Sequence, residues 1–135
     1  MRHRRLEDFA GAWRFSRRIA HADGRRARVD GRALWSRDGT CLICDETGEM
    51  RLHGHAPIPV TRCTLWRDGL RVHFADGRFF HDVPPQGGAV SHWCAPDRYD
   101  GAYDFGDWPR FTVTWRVCGP AKKYTMVTRY TREDE

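Results

Sequence analysis

The sequence predicts a single all-β domain over residues 1–135, an antiparallel meander closed into a barrel, and three observations carry that prediction. Asp-Gly pairs recur at Asp23, Asp30, Asp38, Asp68, Asp76 and Asp100, and such pairs favour the tight turns that join antiparallel strands. Between them lie short runs in which apolar and polar residues alternate, the period of a half-buried strand. No stretch of comparable length carries a helical period.

The elements follow in order. A short helical turn is expected in "RRLEDFAG", at residues 4–11, before the first strand. That strand places Trp13, Phe15, Arg17 and Ile19 on one face, and the next repeats the pattern with Val29, Gly31, Ala33 and Trp35. "CLIC", Cys41 to Cys44, is read as strand: residues three apart on a strand face opposite ways, and the helix start that a redox pair needs is missing. "HGH" at His53 and His55, followed by "APIPV", marks an edge or loop. Leu70, Val72 and Phe74 begin a hairpin, and Phe111, Val113, Trp115, Val117 and then Tyr124, Met126, Thr128, Tyr130 supply the last alternating runs. "VPPQGG" and "APDRYDGAYDFGDWPR" are the longest loop-like pieces. Long loops at a barrel mouth are a usual seat of specificity. In the second piece Asp97, Tyr99, Tyr103, Asp104, Asp107 and Trp108 suit a cap over the mouth, while Tyr99, Gly101, Tyr103 and Phe105 alternate as a strand does. About eight to ten strands result, enough to close a meander and remove its exposed edges. A closed barrel of that size holds side chains or one small ligand.

Composition narrows the function classes. The net charge of +5 comes mostly from arginine, concentrated in "MRHRR" and "GRRARVDGR". Arginine interleaved with aspartate along strands makes a solvated surface, and no recognition helix or RNA-binding motif appears, so nucleic acid is not an expected partner. No apolar run reaches the length of a membrane span and no apolar segment follows the first charges, so neither a membrane span nor a signal peptide is expected and the location is read as cytoplasmic. The 5 cysteines at irregular spacing fit reduced thiols better than a disulfide framework. "CGPAKKY" reads as a turn after a strand. Its Lys122 and Lys123 lack the glycine spacing of a phosphate-cradling loop, and no cofactor is expected.

"FAGAWRFSRRI" resembles the Gly-x-Trp opening of the lipocalin and calycin barrels, in which the first strand's tryptophan plugs the closed end and an arginine of the last strand lies across it. Gly11 and Trp13 match, and Arg129 or Arg132 in "TRYTRE" is positioned for the arginine. From "FFH" at residue 79 to "TRYTR" at residue 132, the chain is similar to a family of small bacterial proteins classed as a domain of unknown function. That resemblance implies the barrel and brings no activity with it.

"FFHDVPPQGGAVSHWCAP", residues 79–96, holds the residues with most chemical interest. If Asp76 and Gly77 form a two-residue turn, Ala75 opposes Arg78, Phe74 opposes Phe79 and Val72 opposes His81. One face is then Leu70, Val72, Phe74, Phe79, His81 and Val83, and the other Arg71, His73, Arg78, Phe80 and Asp82. His81 points inward and Phe80 outward, which offers a surface for a homodimer. If Val83 then opposes Val90, His92 opposes His81 and Cys94 follows on the same inward face, whereas a one-residue slip puts Ser91 and Trp93 inside.

An inward His/His/Cys set has three readings. It can bind zinc with an open fourth position, although the usual short ligand spacings are absent. Cys94 can be a nucleophile activated by His81 or His92, with Asp97 or Asp82 orienting the ring, although no cysteine-hydrolase signature surrounds it. Or the three are polar contacts in a largely apolar pocket. The last is adopted: a small-molecule-binding barrel for an apolar or aromatic ligand, contacted by His81, His92, Cys94, Tyr99, Tyr103 and Trp115. The alternative is an enzyme using the same histidines and cysteine. Arg98 and Arg116 are possible anion anchors, but an arginine on the polar face of a strand is usually solvated.

Overall fold

Alternation along the chain becomes a continuous meander in the computed structural model, which describes residues 3–134. Arg2 of the N-terminal basic cluster lies outside the described residues. Among them a 3₁₀ turn, Leu6–Phe9, precedes ten strands: β1 (Gly11–His21), β2 (Arg26–Asp38), β3 (Cys41–Leu52), β4 (Ile58–Arg67), β5 (Arg71–Phe74), β6 (Phe79–Asp82), β7 (Gly88–Cys94), β8 (Asp97–Asp107), β9 (Arg110–Cys118) and β10 (Lys123–Arg132). The order across the sheet is β6-β5-β4-β3-β2-β1-β10-β9-β8-β7, antiparallel throughout. First and last strands pair over nine positions, from Trp13 with Arg132 to His21 with Tyr124. The sheet therefore curls into a nearly closed, lipocalin-like barrel, interrupted only where β6 faces β7 without a backbone ladder.

Four of the Asp-Gly pairs make turns as expected, at Asp23, Asp38, Asp68 and Asp76. The pairs at Asp30 and Asp100 instead lie within β2 and β8. Close approach explains both glycines. A Cβ on Gly31 would sit 2.1 Å from the Thr47 carbonyl oxygen, where two strands crease together, and one on Gly101 would sit 2.6 Å from the Trp115 ring that covers it.

The end of the barrel beside the 3₁₀ turn is plugged by aromatic rings. Trp13 is fully buried and its indole donates to the Phe9 carbonyl at 2.9 Å. Phe9, Trp35, Trp108 and Phe111 surround it with centroids between 5.2 and 6.0 Å from the nearest of the set. The Arg132 guanidinium lies over Trp13 at 4.4 Å and donates to the carbonyls of Ala10, at 2.8 Å, and Asp8. Gly11 makes room for it, because a Cβ there would stand 2.9 Å from the Arg132 nitrogen. Arg132 thus takes the position across the tryptophan, and Arg129 is exposed.

Two expectations about loops are corrected. "VPPQGG" closes against the plugged end, where the Pro85 carbonyl accepts from the Arg4 amide. Trp108 likewise stacks on Phe111 in the plug and does not cap the mouth, because β8 runs from the mouth to the closed end and carries Phe105 and Trp108 there.

Candidate functional site

Charge sits inside the barrel directly above the plug. β1 continues its inward series past Trp13 and Phe15 to Arg17, which opposes Thr128 of β10 in register. Arg17 Nε donates to Thr128 Oγ1 at 2.7 Å and Nη2 to Glu46 Oε1 at 2.8 Å, while the Tyr130 hydroxyl donates to Glu46 Oε2 at 2.5 Å. Arg17, Glu46, Thr128 and Tyr130 are all buried. Burial alone raises the Glu46 carboxyl, but Arg62 and Arg17, with hydrogen bonds from Tyr130 and Arg17, outweigh it and hold the group below the ordinary carboxylate range. A buried ion pair completed by neutral donors escapes the full desolvation penalty that either charge would carry alone.

The neighbouring wall comes from β6, β8 and β9. His81 is 2% exposed and its Nε2 meets the Tyr103 hydroxyl at 2.8 Å. Burial, then Arg62 and His92, push the imidazole down to about 3, so it is neutral near pH 7. Burial pushes the Tyr103 phenol up, so it too is neutral. With Tyr103 donating to Nε2, the ring proton belongs on Nδ1, a tautomer assigned from the bonding pattern. His81 Nδ1 has no partner among the described residues, and neither does Trp35 Nε1. Both residues line one interior cavity of about 20 Å³, together with Glu46, Arg62, Tyr103 and Trp115. That volume holds about one water.

The cavity leads toward the mouth. A hollow of about 230 Å³ is walled by Phe15, Ile19, Val29, Met50, Val60 and Met126, and shares Arg17, Glu46 and Arg62 with the cavity below. A wider hollow, about 460 Å³, crosses the outer face beside Arg18, Arg26, Arg28 and Arg51, all of them exposed.

The residues singled out from the sequence fall in different places. Val72 opposes His81 as expected, yet His73 opposes Phe79, because a bulge leaves Phe80 as an extra residue. Phe80 and His81 therefore both face inward, while Phe79 is 49% exposed. The outward Phe80 that suggested a homodimer is corrected, and with it the argument for that surface. His81 does not oppose His92, since β7 pairs with β8 and places His92 against Tyr99. Val90, His92 and Cys94 share a half-buried face, with Ser91 and Trp93 outside. Across the β6–β7 seam, the His92 ring lies 5.2 Å from that of Phe80 and 5.8 Å from that of Phe74. Burial and Arg78 lower the His92 imidazole, against a hydrogen bond to the Phe80 backbone. Tyr99 stands beside it at the mouth, 6.0 Å between centroids.

Cys94 is half-buried at the rim, opposite Asp97, and no hydrogen bond joins it to an imidazole among the described residues. Among those residues no three His, Cys, Asp or Glu side chains are grouped to hold a metal ion. Of the other candidates, Cys44 is buried and its thiol pushed well up, chiefly by burial. His53 and His55 are exposed, and Arg98 pairs with Asp100 on the outer face at 2.9 Å.

Sequence reasoning passed over Arg17, Glu46, Arg62 and Tyr130 as functional residues. The usable signal was parity: Arg17 interrupts the inward apolar series of β1, and Glu46 lies two residues beyond Cys44 on the inward face of β3.

The model of one protein family covers residues 9–132 of this chain. The chain belongs to DUF6314, a family of unknown function. No curated protein matches the sequence. Among solved structures, this DUF6314 chain is similar to the S-type phycobiliprotein lyase CPES from Guillardia theta, with a TM-score of 0.70 and 9% sequence identity over 96% of this chain and 91% of that one. At that identity the likeness establishes a shared fold. Among the described residues no helix is long and apolar enough to cross a membrane.

Proposed function

We propose that this protein, as one barrel domain over residues 1–135, binds a small molecule with an apolar or aromatic body. The body lies in the mouth against Ile19, Met50, Val60 and Met126, and its polar end reaches the floor. In this reading His81, Tyr103 and Trp115 form the inner wall, His92 and Tyr99 the wall at the seam, and Cys94 the rim. The observation that carries the proposal is a mouth hollow that shares its lining with a cavity whose buried Trp35 Nε1 and His81 Nδ1 have no partner among the described residues. Buried polar atoms are nearly always satisfied, so orphans gathered at one cavity mark where a bound molecule or its water completes them. An apolar wall with a few polar groups at its base is the usual form of a small-molecule site. A lyase built on the same fold is consistent with an interior that receives a ligand.

The test is a fluorescence titration with N-phenyl-1-naphthylamine, an uncharged aromatic probe that brightens on leaving water. Saturable binding at one probe per chain is expected, with loss of that binding in Val60→Trp, whose indole fills the mouth over Gly48, its neighbour across β3. Probe uptake that never saturates, or that Val60→Trp leaves unchanged, would refute the reading.

A further inference from the structure

The interior does not balance its charge. Arg62 of β4 and Glu46 of β3 are directly opposed in register, the arrangement in which an ion pair is expected. Glu46 is already occupied: one carboxylate oxygen accepts from Arg17 at 2.8 Å and the other from Tyr130 at 2.5 Å. Arg62 is left half-buried and makes no direct hydrogen bond or ion pair among the described residues, its charge acting on Glu46 without contact, although it lines both the cavity and the mouth hollow. The other groups facing this space are neutral: His81, Tyr103 and Tyr130 by burial, and Cys44 likewise. Two guanidinium groups thus face one carboxylate. The atoms left unpartnered at the floor, Trp35 Nε1–H and the Nδ1–H assigned to His81, are donors as well. Donors and one unmatched cation together call for an acceptor that carries negative charge.

We infer that the ligand of this barrel is an organic anion, an apolar or aromatic molecule ending in a carboxylate or a like oxyanion, which Arg62 receives at the base of the mouth. Guanidinium suits the role, since its planar fork meets two oxygens of such a group at once. The orphaned donors of Trp35 and His81 lie beyond Arg62, where a water in the small cavity links them to the same anion.

This inference rests on the proposed binding function, and a matched pair of probes separates the two. 1-Anilinonaphthalene-8-sulfonate carries the same aromatic framework as N-phenyl-1-naphthylamine with an added sulfonate. The wild-type chain is expected to bind the sulfonate at least about tenfold more tightly than the neutral probe, the size of one charge-assisted contact. Arg62→Gln should remove that preference, and Arg62→Lys should keep most of it. Equal affinities for the two probes in the wild type, or a preference that survives in Arg62→Gln, would overturn the anion assignment alone. Failure of both probes to bind in a manner sensitive to Val60→Trp would instead overturn the binding function on which it stands.

Discussion

The two ends of the barrel are made by the same strands and finished in opposite ways. At the closed end the inward positions are mostly aromatic rings and aliphatic groups, and the two arginines there lie over rings, Arg132 on Trp13 with two carbonyls accepting from it and Arg4 on Trp108. Halfway along, the inward positions turn polar, and toward the mouth Arg62 stands with no such partner among the described residues. Interiors packed to crystal density tolerate little change, whereas a hollow lined by half-buried side chains gives up little when one is trimmed. Stability is therefore concentrated at the plug and the polar floor, and the proposed ligand chemistry lies at the mouth.

The contrast can be broken most severely from the closed end. Trp13→Ala is expected to lower the urea unfolding free energy by about 3–5 kcal/mol, the usual cost of truncating a fully buried tryptophan. Val60→Ala at the mouth should cost about 1 kcal/mol or less by the same measurement. A loss at the mouth equal to that at the plug would erase the distinction.

Glu46→Ala comes next, because it strands Arg17 in the interior, and about 3 kcal/mol is expected. The double variant Arg17→Met/Glu46→Leu should recover most of that loss in a thermodynamic cycle. Additive losses would show that the floor is held by shape and not by charge.

Acid should expose the floor before the plug. His81 has a folded pKa of about 3 against an ordinary value of 6.5, so between these values the unfolded chain binds a proton that the folded chain refuses. Stability then falls as pH drops from 6.5 toward 3. Glu46, held below its ordinary range, adds to the loss at the lower end of the same window, as pH falls through its depressed value. His81→Gln, which keeps an acceptor for Tyr103, is expected to flatten the limb between pH 6.5 and 4.5 in urea midpoints measured at each pH. An unchanged slope would place the acid sensitivity elsewhere.

Arg132→Met is a smaller change, expected to cost about 1–2 kcal/mol through the lost carbonyl bonds and ring contact. The least effect on stability is expected from Cys94→Ser. Its interest is kinetic: alkylation of the wild type by iodoacetamide should be slowest at buried Cys44 and fastest at exposed Cys118, with Cys94 between them. Labelling of Cys94 ahead of Cys118 would mark it as activated and favour the enzymatic alternative.

Much of the architecture could be read directly from the chain, because a period of two and Asp-Gly turns are local signals. Trp13, Gly11 and the inward parity of His81 belong to that part. The failures share a cause, since they depend on contacts between segments far apart in sequence. Asp30-Gly31 and Asp100-Gly101 carry two conflicting local signals, a turn pair inside an alternating run, because a glycine needed for close approach to Thr47 or Trp115 looks the same as one needed for a bend. Phe80 was placed outside because one extra residue in β6 is invisible without its partner strand. The floor was missed because Arg17 and Glu46 are 29 residues apart and become a pair only once β1, β2 and β3 are laid side by side.

The missing ladder between β6 and β7 changes what kind of object this barrel is. A fully bonded ring has its circumference set by strand number and stagger, and widening it means breaking backbone hydrogen bonds. This chain is a rolled ribbon whose two lips touch through the rings of Phe80, Phe74 and His92. Parting those lips gives up the aromatic contacts and the His92 hydrogen bond to the Phe80 backbone, and leaves each strand bonded to its neighbour within the ribbon. The width of the opening is accordingly set by side-chain contacts across the seam rather than by the shear of the sheet.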